Sequence, residues 1–136
     1  MCLLHDLAEA RTGDHNYVNK RYVKVNEDKA VHDQVQGLDF GDEITALIDE
    51  FNTSDSLEAR LSKDADQLDL LLELKQELDS GNPNSRDWLF FAVKRLLTKN
   101  AQKLAEDILK ADSTDWWFEK KTEWWVNGPN NQMETD

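Results

Sequence analysis

The sequence has little that cross-links, breaks or spans. Among 136 residues there is one cysteine, Cys2, so no internal disulfide and no zinc site built on several cysteines can form. That usage fits a reducing cytoplasm, the compartment expected here, and no basic stretch leading into an apolar one marks a secretory signal. No apolar run approaches about 18 residues, so no membrane span is expected. Positive charge is scarce as well: 16 Lys and Arg stand against 28 Asp and Glu, for a net charge of -12. A polyanion binder needs a basic face, because neutralised phosphates supply most of its affinity. DNA and RNA are therefore not expected partners. A small phosphate ester is compatible with the acidic surface if a metal ion supplies positive charge.

Glycine and proline are also sparse, at 5 and 2 residues. Long unbroken stretches of Leu, Ala, Glu, Lys and Gln favour helices, and neither strand-like alternation nor an internal repeat is present. The pattern predicts an all-α domain over residues 1–126 with a disordered tail at 127–136. Six or seven helices are expected: from the start to about Arg11, Asn19 to Gln36, Asp42 to Phe51, a long one capped by Ser54 or Asp55 and closed by Gly81, Ser85 to Thr98, Asn100 to Ala111, and a short Trp-rich helix from Ser113 to Val126. The chain opens on Met1-Cys2-Leu3-Leu4, already inside an apolar pattern with no capping residue, which predicts further residues upstream.

The first helix carries the sharpest signal. On a wheel of 100° per residue, Leu3, Leu4, Leu7 and Ala10 share one side, while His5, Asp6 and Glu9 gather on the other. His5 and Glu9 are four apart and Asp6 and Glu9 three apart, so they are neighbours on a helix. An imidazole beside carboxylates suits Mn, Fe, Co, Ni or Zn, and Mg when more oxygen is added. A second pair, His32-Asp33, is followed by no acid four residues on and reads as solvated surface. His15 falls in a polar turn.

The whole string from His5 to Asp14, His-Asp-Leu-Ala-Glu-Ala-Arg-Thr-Gly-Asp, resembles the HD-domain phosphohydrolase superfamily. It resembles most closely the 5'-deoxynucleotidase branch, whose hallmark is H-D-x-x-E-x-x-x-G-D. Leu61-Ser-Lys-Asp-Ala-Asp-Gln-Leu68 resembles the family's later K-x-A-D motif and carries its aspartate onto Asp66. Ile48 to Phe51 and Ser56 to Arg60 also read like the family, so the resemblance covers about residues 1–110. Helical periodicity alone points elsewhere. Leu57, Leu61, Leu68, Leu71 and Leu72 form a stripe that contains Asp64, with Asp66 at its edge beside Leu70. Motif register therefore names Asp66 as the ligand, and leaves Asp64 as a supporting or salt-bridging residue.

The resemblance implies a compact helical bundle of the HD-domain type, here without its N-terminal helices. It implies one divalent ion, Mn, Co or Mg foremost and Fe, Ni or Zn besides, held by His5, Asp6, Asp66 and a histidine some 30 residues upstream. Either the chain is a piece of a longer protein or the site has lost one ligand. Glu9 would position the attacking water or shuttle its protons. Asp14, past the turn at Gly13, would accept a hydrogen bond from a sugar 3'-hydroxyl. The implied substrate is a deoxyribonucleoside 5'-monophosphate, cleaved to deoxynucleoside and phosphate, and the implied assembly is a homodimer. The alternatives are an HD hydrolase of nucleoside triphosphates or cyclic nucleotides, and a non-catalytic helical fragment that binds through its Trp-rich end. Trp116, Trp117, Trp124 and Trp125 are expected to pack the last helix on the body, as a dimer interface or a lid in the alternative. Trp88 to Phe91, Val93, Leu96 and Leu97 are expected in the core.

Overall fold

The computed structural model describes residues 1–119 and 121–128. Among these there are seven α helices, one 3-10 turn and no strand, as the residue composition requires. The helices are α1 Glu9–Thr12, α2 Glu27–Val35, α3 Gly41–Thr53, α4 Leu57–Asp79, α5 Ser85–Lys94, α6 Lys99–Lys110 and α7 Trp124–Asn127. Side chains that accept an otherwise orphaned N–H set three of the starts. Asn26 accepts from Lys29 N and opens α2, Ser56 accepts from Ala59 N and opens α4, and Thr98 accepts from Ala101 N and opens α6. None of the helices is long and apolar enough to cross a membrane.

Two apolar clusters hold the chain together. The first joins Ala8, Ala30, Val31, Val35 and Ile48, with Leu4, Leu7 and Ile44 packed against it. It assembles the N-terminal segment, α2 and α3. Gln34 ties the segment down by donating to the Leu7 carbonyl at 2.9 Å. Gly41 is part of the same joint. A Cβ there would stand 2.7 Å from the Val35 carbonyl oxygen, so only glycine lets α3 start so close to the end of α2. The second cluster joins Leu71, Leu89, Leu96, Ala101 and Ala105, and it packs α4 against α5 and α6. Asp79, at the end of α4, pairs with Lys75 and accepts from Ser113 N, which docks the segment after α6. Those two partners hold its carboxyl below the usual carboxylate range. Helices α3 and α4 pack on each other and connect the two clusters.

The structure departs from the expectations in four places. Residues 2–8 form consecutive turns, and α1 begins only at Glu9. Leu3, expected on an apolar side, is 98% exposed. The stretch expected as one helix from Asn19 to Gln36 breaks after the 3-10 turn Asn19–Arg21, and the aromatic and β-branched Tyr22, Val23 and Val25 precede the Asn26 cap. Ser56 caps α4, while Ser54 ends α3 in a left-handed conformation at φ 60°. Of the aromatic residues expected in the core, Trp88, Phe90 and Phe91 are about half exposed; Leu97 is exposed to a similar extent, while Leu89 and Leu96 are buried. The tryptophans near the C-terminus pack on one another: Trp125 lies 4.6 Å from Trp124 and 6.1 Å from Trp117 between ring centroids. The tail expected at 127–136 lies outside the described residues from residue 129 onward, and Asn127 closes α7.

Candidate functional site

The turns of residues 2–8 decide which way His5 and Asp6 face. The bonds Leu7 N to Leu4 O and Glu9 N to Asp6 O, at 3.0 and 2.9 Å, are three-residue closures. Such turns advance about 120° per residue, not the 100° of an α helix. His5 and Asp6 face Asp66 of α4, while Glu9 lines a separate recess.

His5 is the centre of the arrangement, with a side chain only 18% exposed. Its ring packs on Phe51 at 4.9 Å between centroids. Its Nδ1 lies 2.9 Å from the Cys2 carbonyl oxygen. A carbonyl only accepts, so Nδ1 donates there and Nε2 is the nitrogen turned toward the two carboxylates. That nitrogen lies 3.1 Å from Asp6 Oδ2 and 3.5 Å from Asp66 Oδ1. Three acceptors facing one another need a cation among them, either a proton on Nε2 or a metal ion.

The donor set fits a divalent metal in chemistry, and the two distances from His5 Nε2 suit shared coordination. Donors held about 2.1 Å from an ion, at angles between right and tetrahedral, stand about 3.0–3.5 Å apart. Among the described residues no three His, Cys, Asp or Glu side chains already enclose a metal-sized point. Both carboxylates are free to adjust: the Asp66 side chain is 43% exposed and that of Asp6 62%.

The two aspartates of the α4 motif have separate tasks. Asp64 is 2% exposed and faces the second cluster. Its carboxylate accepts from Leu97 N at 2.6 Å and Thr98 N at 2.9 Å, which fixes the turn between α5 and α6. It is a structural residue with its oxygens committed. Asp66 faces the cleft, accepts from the Gln67 side chain at 2.8 Å, and meets His5. Helical periodicity correctly marked Asp64 as the buried acid.

The cleft that receives His5, Asp6 and Asp66 has a volume of about 410 Å³, and Lys63, Gln67 and Arg95 also line it. Glu9 lines a neighbouring recess of about 160 Å³ with Gly13, His15 and Lys20. Glu9 does not line the cleft that receives His5 and Asp6. Glu9 still senses the cleft: burial first, then the charges of Asp6 and Asp14, push its carboxyl above the ordinary 4.5. Asp14 is exposed beyond Gly13, whose φ of 80° ends α1, and it lines neither recess. His15 is engaged locally, with Nε2 3.0 Å from the Thr12 carbonyl oxygen.

Sequence reasoning missed the cations of the cleft. Lys63 stood in the motif string without being singled out. Arg95 had no local signal at all, since it reaches Gln67 across 28 positions of chain.

The model of the HD domain family matches residues 1–109 of the chain. No curated protein and no solved structure matches it. HD domains are typically metal-dependent hydrolases and generally bind divalent metals. A match over that much of the sequence, on an all-helical fold, makes this chain a member of the HD-domain family.

Proposed function

We propose that the chain is a metal-dependent phosphohydrolase acting on deoxyribonucleoside 5'-monophosphates, with deoxynucleoside and phosphate as products. The observation that carries the reading is His5, its free nitrogen turned between Asp6 and Asp66 inside one cleft. Family membership supports the hydrolase class, and the string from His5 to Asp14 supports the branch. His5, Asp6 and Asp66 would hold one divalent ion. Bound there, it supplies charge neutralisation at a phosphate and lowers the pKa of water.

The chain's own residues would do the rest. The Cys2 carbonyl keeps the His5 ring in the tautomer that leaves Nε2 available. Phe51 fixes the plane of that ring. Glu9 holds or moves a proton at its carboxylate, and a raised pKa suits that task because it brings the group nearer working pH. Asp14 accepts a hydrogen bond from the sugar.

The test is phosphate release from a panel of deoxy- and ribonucleoside 5'-monophosphates, with Mn, Co or Mg added. The reading expects release with every active substrate requiring the metal and with preference for the deoxy sugar. Triphosphates and a cyclic nucleotide in the same panel test the other hydrolase assignments. No release from any monophosphate with any of these metals contradicts the reading.

A further inference from the structure

The geometry points to Arg95 as the anion anchor of the cleft, the residue that grips the substrate's phosphate and sets its distance from His5 and Asp66. This rests on reading the cleft as a phosphohydrolase site. The protein carries net charge -12, so its general field repels a phosphate dianion. Asp6 and Asp66 cancel the charge of a divalent ion that they hold. Net attraction for the substrate must come from cations beyond them, and the cleft contains two, Lys63 and Arg95.

Among the described residues neither Lys63 nor Arg95 pairs with a carboxylate; the lysines that do are Lys29, Lys75 and Lys110. Arg95 is nevertheless held firmly. Its guanidinium lies 4.6 Å from the centroid of the Tyr17 ring, which in turn packs on Trp88 at 5.7 Å. A cation over a ring face is attracted by the ring's quadrupole and kept flat against it. One of its terminal nitrogens donates to Gln67 Oε1 at 3.3 Å. Its other N–H donors have no acceptor among the described residues.

Gln67 makes the placement specific. Its Nε2 donates to Asp66 Oδ2 and its Oε1 accepts from Arg95. Only one orientation of the amide satisfies both, because the flipped amide would set oxygen against carboxylate and NH2 against guanidinium. The amide is thus a spacer of fixed length between a proposed metal ligand and a guanidinium whose remaining donors are free. A planar fork of that kind matches two phosphate oxygens at once. Lys63 is held less specifically, by the Asn52 carbonyl at 3.0 Å and the Phe51 ring, and it adds charge without the fork.

The experiment is a calorimetric titration of inorganic phosphate into the full chain with magnesium present. Arg95→Gln is expected to weaken phosphate binding about tenfold to a hundredfold, and Arg95→Lys by less. Gln67→Glu leaves Arg95 in place but sets a carboxylate against it, and should weaken phosphate about tenfold. It also carries the test should Arg95→Gln fail to fold. Unchanged phosphate affinity in the folded variants overturns the anchor, and so does a wild-type chain that takes up no phosphate. Hydrolysis is read separately. Phosphate binding that depends on Arg95, without release from any deoxynucleoside monophosphate, keeps the anchor and removes the nucleotidase reading. Release with an unchanged KM in Arg95→Gln keeps the nucleotidase and removes the anchor.

Discussion

The two apolar clusters are built from different kinds of chain. The second is made of long, capped helices: α4, 23 residues in length, lays Leu71 against Leu89 and Leu96, and Asp64 pins the turn above them. The first packs α2 and α3 against an N-terminal segment of turns and a four-residue helix, with small side chains such as Ala8 and Ala30 and a glycine contact between the two helices. The regular region supplies Asp66, Gln67 and Arg95 to the cleft, and the irregular one supplies His5 and Asp6. Turns can aim two adjacent side chains at a neighbour in a way that a helix surface cannot. The proposed site takes His5 and Asp6 from the turns and Asp66 from the longest helix.

The two aspartates of α4 should separate site from scaffold most strongly. Asp66→Asn should reduce phosphate release more than about a hundredfold, since even losing a supporting partner of a metal ligand costs about ten- to a hundredfold. Its melting temperature should stay near that of wild type, because Asp66 is largely solvated. Asp64→Ala should do the reverse. It leaves two backbone N–H groups without partners and should cost about 3 kcal/mol, or roughly 10 °C in melting temperature. If both variants melted alike, the division of labour between them would be wrong.

Gly41→Ala probes the first cluster. The added methyl meets the Val35 carbonyl oxygen at 2.7 Å, so α2 and α3 must part. A loss of about 2 kcal/mol is expected, with weaker metal affinity because Ala8 and the turn that carries His5 rest on the same cluster. Ser56→Ala probes the second cluster from its edge, and loss of the α4 cap should cost about 1 kcal/mol in denaturant unfolding with metal affinity unchanged.

These effects also mark what was legible in the sequence. In the regular region periodicity sufficed: α3, α5 and α6 fall within a few residues of their expected bounds, and the leucine stripe of α4 identified Asp64 as buried. In the irregular region periodicity failed, since a wheel of 100° assumes the helix that residues 2–8 do not form. There the motif string put His5, Asp6 and Asp66 forward, and the fold sets His5 beside both aspartates. Arg95 was legible to neither approach, because its role depends on Tyr17 and Gln67, which only the fold brings to it. The exposed faces of Phe90, Phe91 and Trp88 were misread because an apolar residue on an amphipathic helix need not find a partner within the same domain.

A smaller effect is expected at Glu9, the first residue of α1. Its folded pKa is raised above 4.5, so the native state holds its proton more tightly than the unfolded chain does. The resulting stability is full below pH 4.5 and is lost as pH rises through the higher, native value. Glu9→Gln should therefore be slightly more stable than wild type at neutral pH, and the gap should close as pH falls below that window. A gap of opposite sign would mean that Glu9 gains more from Lys20 than it loses by burial.

His5, Asp6 and Asp66 are proposed to form one cation site across the join of the two regions. Titration with Mn, followed by the loss of free-ion electron paramagnetic resonance signal, tests it directly. One Mn per chain is expected in the wild type, with binding lost in His5→Ala and Asp66→Asn and kept in Ser56→Ala. Absence of Mn binding, or binding that survives Asp66→Asn unchanged, would contradict the claim.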